Sequence, residues 1–148
     1  MIKTLLVDDQ PLIREALRTF LTQSNEIEII GTAESGRQAL EMIRDTPPEV
    51  VIIDVRMPDM DGVESTFKIH KEHPDLIVIG LSSISDKHRA TEMLQAGARG
   101  FLTKETPPAE IVEAVKKVVT GETVVSPCIF SEELARGVSI EKAMEELS

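Results

Sequence analysis

Five short apolar runs, each followed by an amphipathic stretch at helical spacing, restrict what this chain can fold into more than any other feature. The runs fall at 2–7, 27–30, 50–53, 76–81 and 100–103. The third, Val50-Val51-Ile52-Ile53, is entirely β-branched, the composition of a strand buried on both faces. Between the runs, apolar residues recur every three or four positions. Pro11 opens a helix with Leu12, Ile13, Ala16, Leu17, Phe20 and Leu21 on one face. Ser35 and Gly36 start a second, with Ala39, Leu40 and Ile43 inward. Asp61 caps a third, along which Val63, Phe67 and His70 line one face. Asp86 caps a fourth carrying Ala90, Met93 and Leu94, and Gly97 stops it in the left-handed conformation. Pro107 and Pro108 open a fifth with Ile111, Val112, Val115, Val118 and Val119 inward, and Gly121 ends it.

This alternation calls for right-handed crossovers and a parallel sheet covered on both faces. The expected fold class is α/β: a doubly wound five-stranded parallel sheet in the order 2-1-3-4-5, flavodoxin-like. Residues 122–148 are too few for a second core and read as a linker with one or two short helices, capped by Ser131 and Ser139. No apolar run is long enough to span a membrane, and the amino terminus does not read as a signal peptide. One cysteine, Cys128, allows no internal disulfide and fits a reducing cytoplasm. A net charge of −10, from 16 basic against 26 acidic residues, opposes direct contact with nucleic acid. Four phenylalanines are the whole aromatic complement and leave no stacking platform for single strands.

The chemistry gathers where the runs end. The first ends on Asp8-Asp9, the third on Asp54, the fourth on Ser82 and the fifth on Lys104; the second, which belongs at the outer edge, ends on nothing comparable. In open α/β sheets ligands bind outside the carboxyl ends of the strands. Three acids crowded there repel one another unless a cation neutralises them, and a few hard oxygen ligands suit Mg²⁺. Asp54 then qualifies as a nucleophile toward phosphorus, Lys104 as a counter-charge and Ser82 as a hydrogen-bond donor: phosphoryl transfer onto a carboxylate. His70, His73 and His88 lack metal-ligand spacing and read as structural.

These residues, together with Met57-Pro58-Asp59-Met60-Asp61-Gly62 and Phe101, resemble the receiver domain of two-component response regulators over 1–121. The stretches Gln10-Pro11-Leu12-Ile13-Arg14 and Ala96-Gly97-Ala98-Arg99-Gly100-Phe101-Leu102-Thr103-Lys104 are similar to the NarL/FixJ (LuxR-type) group. The resemblance implies that Asp54 is the phosphoacceptor for a histidine kinase. It implies Mg²⁺ held by Asp9, Asp54 and the backbone carbonyl of Arg56, with Asp8 acting through water. Ser82 and Phe101 become the switch pair, Phe101 turning inward as Ser82 moves to the phosphate. It further implies a homodimer on phosphorylation and a cytoplasmic location. Transcription is controlled through a helix-turn-helix domain that this chain stops short of, so DNA is reached only through that missing domain. Two positions depart from the group's pattern: Ser82 stands where Thr is frequent, and Glu105 where Pro is frequent, so a cis bond after Lys104 is not carried over. The competing readings are a stand-alone receiver, a pseudo-receiver that only docks, and a Mg²⁺-dependent phosphohydrolase. The hydrolase needs an acid two residues after its nucleophile, where Arg56 stands.

Overall fold

The computed structural model describes residues 1–126, apart from the side chains of Ile84 and Lys87. Six strands form one parallel sheet: β1 (Ile2–Val7), β2 (Ile27–Ala33), β3 (Val50–Asp54), β4 (Ile77–Ser82), β5 (Gly100–Thr103) and β6 (Val124–Val125), in the order β2-β1-β3-β4-β5-β6. The helices are α1 (Pro11–Thr22), α2 (Gly36–Asp45), α3 (Gly62–Glu72), α4 (Ala90–Gln95) and α5 (Pro108–Val119), with a 3₁₀ helix at Ile84–Arg89 before α4. The doubly wound sheet has the expected order, with one strand more than expected. β6 runs parallel along the edge of β5, pairing Gly100 with Val124 and Phe101 with Val125. The rest of the expected linker, with its helices after Ser131 and Ser139 and with Cys128, lies outside the described residues.

Because side chains alternate across a strand, each inner strand feeds two cores. Leu5, Val7, Val51, Ile53 and Val78 meet Ala39, Ile43, Ile69 and Met93 from α2, α3 and α4. Leu6, Val50, Ile52, Ile79 and Leu102 meet Leu21 from α1 and Ile111, Val115 and Val118 from α5. β3 is buried at every residue, as its β-branched run requires.

Three helices depart from the expected pattern. On α1, Ile13, Leu17 and Leu21 form the row that faces the sheet. Leu12, Ala16 and Phe20, one position earlier, form a second row that faces out, with Leu12 83% and Phe20 49% exposed. Six apolar residues on a three-turn helix cover a wider arc than one sheet contact can bury. On α3 the expected Val63, Phe67 and His70 face is not the inner one: Phe67 is 58% exposed, whereas Ser65, Thr66 and Ile69 are buried. Ser65 lies against Gly36 of α2, so close that a Cβ on Gly36 would fall on its hydroxyl. Its Oγ donates to the Asp61 carbonyl at 2.8 Å, and the Thr66 hydroxyl is 3.9 Å from the Met93 sulfur. Small hydroxyl residues with bonds supplied locally line this close approach, and a hydropathy pattern reads them as surface. Before α4, Asp86 does not cap the helix; it lies within the 3₁₀ turn, buried, with side-chain partners.

Other local signals are realised as read. Ser35 Oγ accepts from the Gln38 N–H at 3.1 Å, and Asp61 Oδ1 from the Glu64 N–H at 2.9 Å. Gly97 has φ of 117°. No peptide bond among the described residues is cis, that after Lys104 included.

Candidate functional site

The carboxyl ends of β1, β3 and β5 bring their polar residues together. One carboxylate oxygen from each of Asp8, Asp9 and Asp54 lies within 4.8 Å of the others. Asp8 and Asp54 are buried, and Asp9 is exposed at the mouth. Lys104 Nζ stands 3.0 Å from Asp54 Oδ2 and 3.8 Å from Asp8 Oδ2. Main-chain donors fix the other oxygens: the Arg56 N–H donates to Asp54 Oδ1 at 3.1 Å, and the Gln10 N–H to Asp8 Oδ1 at 2.8 Å. The loop after β3 is folded back on the strand by Gly62, whose N–H donates to the Val55 carbonyl at 2.8 Å. A Cβ there would fall 2.6 Å from the Asp54 carbonyl oxygen.

Burial raises the pKa of both inner acids. Asp54 is raised further by the charge of Asp8, against the hydrogen bond and charge of Lys104. One oxygen, Asp8 Oδ2, is buried with no hydrogen-bond partner. A buried carboxylate oxygen without a hydrogen-bond donor, beside two further carboxylates, is what a hard divalent cation satisfies, so the residues present fit one.

Of the expected switch pair, only Phe101 stands differently from the expectation. Ser82 ends β4 beside the acids, but its Oγ donates to the Ser83 carbonyl at 2.7 Å. Phe101 is already fully buried, in the core with Val55 and Met93. The expected swing from outside to inside therefore has no outward starting point here. A Cβ on Gly80 would lie 3.3 Å from the ring, so the missing side chain on β4 leaves the room it occupies.

Residues 4–116 match the response regulator receiver domain as a family. The chain belongs to that family. The receiver is similar to the response regulator GacA of Pseudomonas syringae, with 38% identity over 87% of this chain and 60% of GacA. It is similar also to the response regulator protein VraR of Staphylococcus aureus, with 34% identity over 85% of this chain and 60% of VraR. It spans about 60% of the length of these curated relatives. Among solved structures, a LuxR-family two-component response regulator from Aurantimonas shares 28% identity with it. The two superpose with a TM-score of 0.85, over 93% of this chain and 97% of that one. The receiver domain of a putative NarL from Mycobacterium tuberculosis shares 33% identity at a TM-score of 0.77, over 82% and 98%. Proteins of this family are signalling proteins and not conventional enzymes. No helix among the receiver's described residues is long and apolar enough to cross a membrane.

Two residues of the receiver's site escaped the sequence reading. Arg14 Nη1 donates to the Asp8 carbonyl at 2.6 Å, tying α1 to the end of β1. The signal was its position one turn after Gln10, whose N–H holds the Asp8 carboxylate. Asp86 is the other, hidden because the sequence reads it as a helix cap: its Oδ1 accepts from Arg56 Nη2 at 2.6 Å.

Proposed function

We propose that this receiver takes a phosphoryl group on Asp54 and uses it as a signalling switch. The observation that carries the reading is Lys104 Nζ at 3.0 Å from Asp54 Oδ2, with Asp8 and Asp9 alongside. An ammonium there lowers the barrier to bringing an anionic phosphoryl group against a carboxylate. An Asp54 oxygen attacks phosphorus, the bond to the donor breaks, and an acyl phosphate forms. With a phosphohistidine donor the leaving nitrogen keeps the bonding pair and returns as neutral imidazole after protonation. The Arg56 N–H holds the non-attacking oxygen, and Lys104 turns to the transferred group. Asp9, Asp54 and the Arg56 carbonyl would hold Mg²⁺, with Asp8 acting through water, and the ion would supply positive charge to the phosphoryl oxygens. Ser82 Oγ becomes a donor to the group once it leaves the Ser83 carbonyl.

Membership of the response regulator receiver family supports a histidine kinase as the donor, and likeness to a Bacillus subtilis transcriptional regulatory protein and a Staphylococcus aureus DNA-binding response regulator supports transcription as the output. On this reading the protein is cytoplasmic, DNA is contacted through a further domain, and phosphorylation drives homodimer formation. The hydrolase alternative lacks its acid: Arg56 occupies that position and its guanidinium pairs with Asp86.

The test is intact mass after incubation with Mg²⁺ and acetyl phosphate, beside Asp54→Asn. Gain of one phosphoryl group in the parent, absent from the variant and absent without Mg²⁺, is the expected result. No gain while Mg²⁺ binds sinks the phosphoacceptor role.

A further inference from the structure

Asp86 is a buried acid that the transfer step does not use. Its Oδ1 takes the Arg56 guanidinium at 2.6 Å, and its Oδ2 takes Ser83 Oγ at 3.2 Å. Ser83 Oγ also lies 2.8 Å from Ser85 Oγ, and the Asp86 N–H closes the turn on the Ser83 carbonyl at 3.0 Å. That same carbonyl-bearing residue holds Ser82 Oγ. Arg56 therefore touches the nucleophile with its main chain and the 83–86 turn with its side chain.

The two partners are unequally committed. The Arg56 side chain is 76% exposed and that of Asp86 5%. A guanidinium mostly in water gives up little by leaving, whereas the buried carboxylate holds the turn closed only while it is paired. A phosphoryl group on Asp54 carries more charge than a carboxylate and offers a planar cation several oxygens at once.

We propose that Arg56 is a positioning residue that exchanges partners. It pins the 83–86 turn through Asp86 while Asp54 is free. It passes to the phosphoryl oxygens when Asp54 carries them, and the turn opens so that Ser82 Oγ leaves the Ser83 carbonyl for the same group. This rests on Asp54 being the phosphoacceptor. Asp86, once released, keeps Ser83 and gains water.

The experiment compares the whole chain with its Asp86→Asn, Arg56→Gln and Arg56→Lys variants by two readouts. The first is amide hydrogen exchange of residues 83–86 without phosphoryl donor. The second is binding of beryllofluoride, a phosphoryl mimic, with Mg²⁺, followed by amide chemical shifts. Asp86→Asn and Arg56→Gln are expected to speed exchange in the turn by roughly two- to fivefold, the range of a half-exposed ion pair. Asp86→Asn, which frees the guanidinium, tightens the mimic by a similar factor; Arg56→Gln weakens it, and Arg56→Lys recovers part of the loss. Unchanged exchange overturns the pinning. Binding that moves the same way in Asp86→Asn and Arg56→Gln overturns the exchange of partners, because a merely structural pair gives that result. A parent chain that binds Mg²⁺ but not the mimic overturns the phosphoacceptor reading and this one with it, and the exchange data still show separately whether the turn is pinned.

Discussion

Asp8 and Asp54 are buried side by side at the expense of the fold. Burial raises both pKa values, so in the folded state each carboxyl prefers its proton more than in the unfolded chain. The sign follows: the unfolded acids ionise first, and stability is lost as pH climbs from their ordinary 3.8 through the raised folded values. With metal chelated, Asp8→Asn and Asp54→Asn are expected to raise the unfolding free energy at pH 7 by about 1–3 kcal/mol. The gain over the parent should shrink as pH falls through the raised folded values to the ordinary 3.8, below which the carboxyls are protonated in the folded and unfolded chain alike. Urea titrations across that pH range with chelator check it, and added Mg²⁺ should stabilise the parent more than either variant. Lys104→Met has the opposite sign. It leaves two buried acids with their nearby cation removed, costs about 1–3 kcal/mol in metal-free buffer and abolishes phosphoryl uptake, read by the same melts and by intact mass.

Among the elements, the loop after β3 lies against the backbone of its own strand. A Cβ at Gly62 meets the Asp54 carbonyl oxygen at 2.6 Å and the Val55 Cα at 2.7 Å, both backbone atoms that cannot turn aside. Gly62→Ala should therefore cost about 2–4 kcal/mol and displace the Asp54 loop. Gly121→Ala is the control: its φ of 99° is strained for alanine, but nothing lies within 4 Å, so the cost is about 1 kcal/mol. Chemical denaturation of both separates steric contact from backbone strain. On α1, Leu21→Ala should cost about 2–5 kcal/mol, and Leu12→Glu, on the outward row, less than about 0.5. The helices show where sequence periodicity stops being informative. Caps at Ser35 and Asp61 and the stop at Gly97 were legible because each is one residue with one bonding role. The inner face of α3 was not, because Ser65 and Thr66 satisfy their hydroxyls within a close helix approach. Asp86 looked like a cap because its true partner, Arg56, is distant in sequence.

At the scale of the molecule, the sheet order and the meeting of Asp8, Asp9, Asp54 and Lys104 could be read from strand ends alone, since a parallel sheet puts every carboxyl end on one edge. β6 could not: two residues carry no alternation, and its pairing with β5 is settled by main-chain bonds, including the Ser126 N–H to the Phe101 carbonyl at 3.0 Å. The orientations of Ser82 and Phe101 also depend on contacts and not on spacing. Ser126 Oγ accepts the buried Thr103 N–H at 3.2 Å. Ser126→Ala should leave that donor unpaired, cost about 1 kcal/mol and speed exchange of the Thr103 amide relative to that of Leu102.

Being parallel, β6 carries the backbone toward the same edge as the acids, and Ser126 lies beside Thr103, the neighbour of Lys104. The chain has no tryptophan or tyrosine, so it is nearly dark in ordinary fluorescence. A single dye fixed at the exposed position 105, next along the chain from the amine that faces Asp54, would be the only bright spot on such a molecule. It would report the charge state of the pocket without any probe being placed in it.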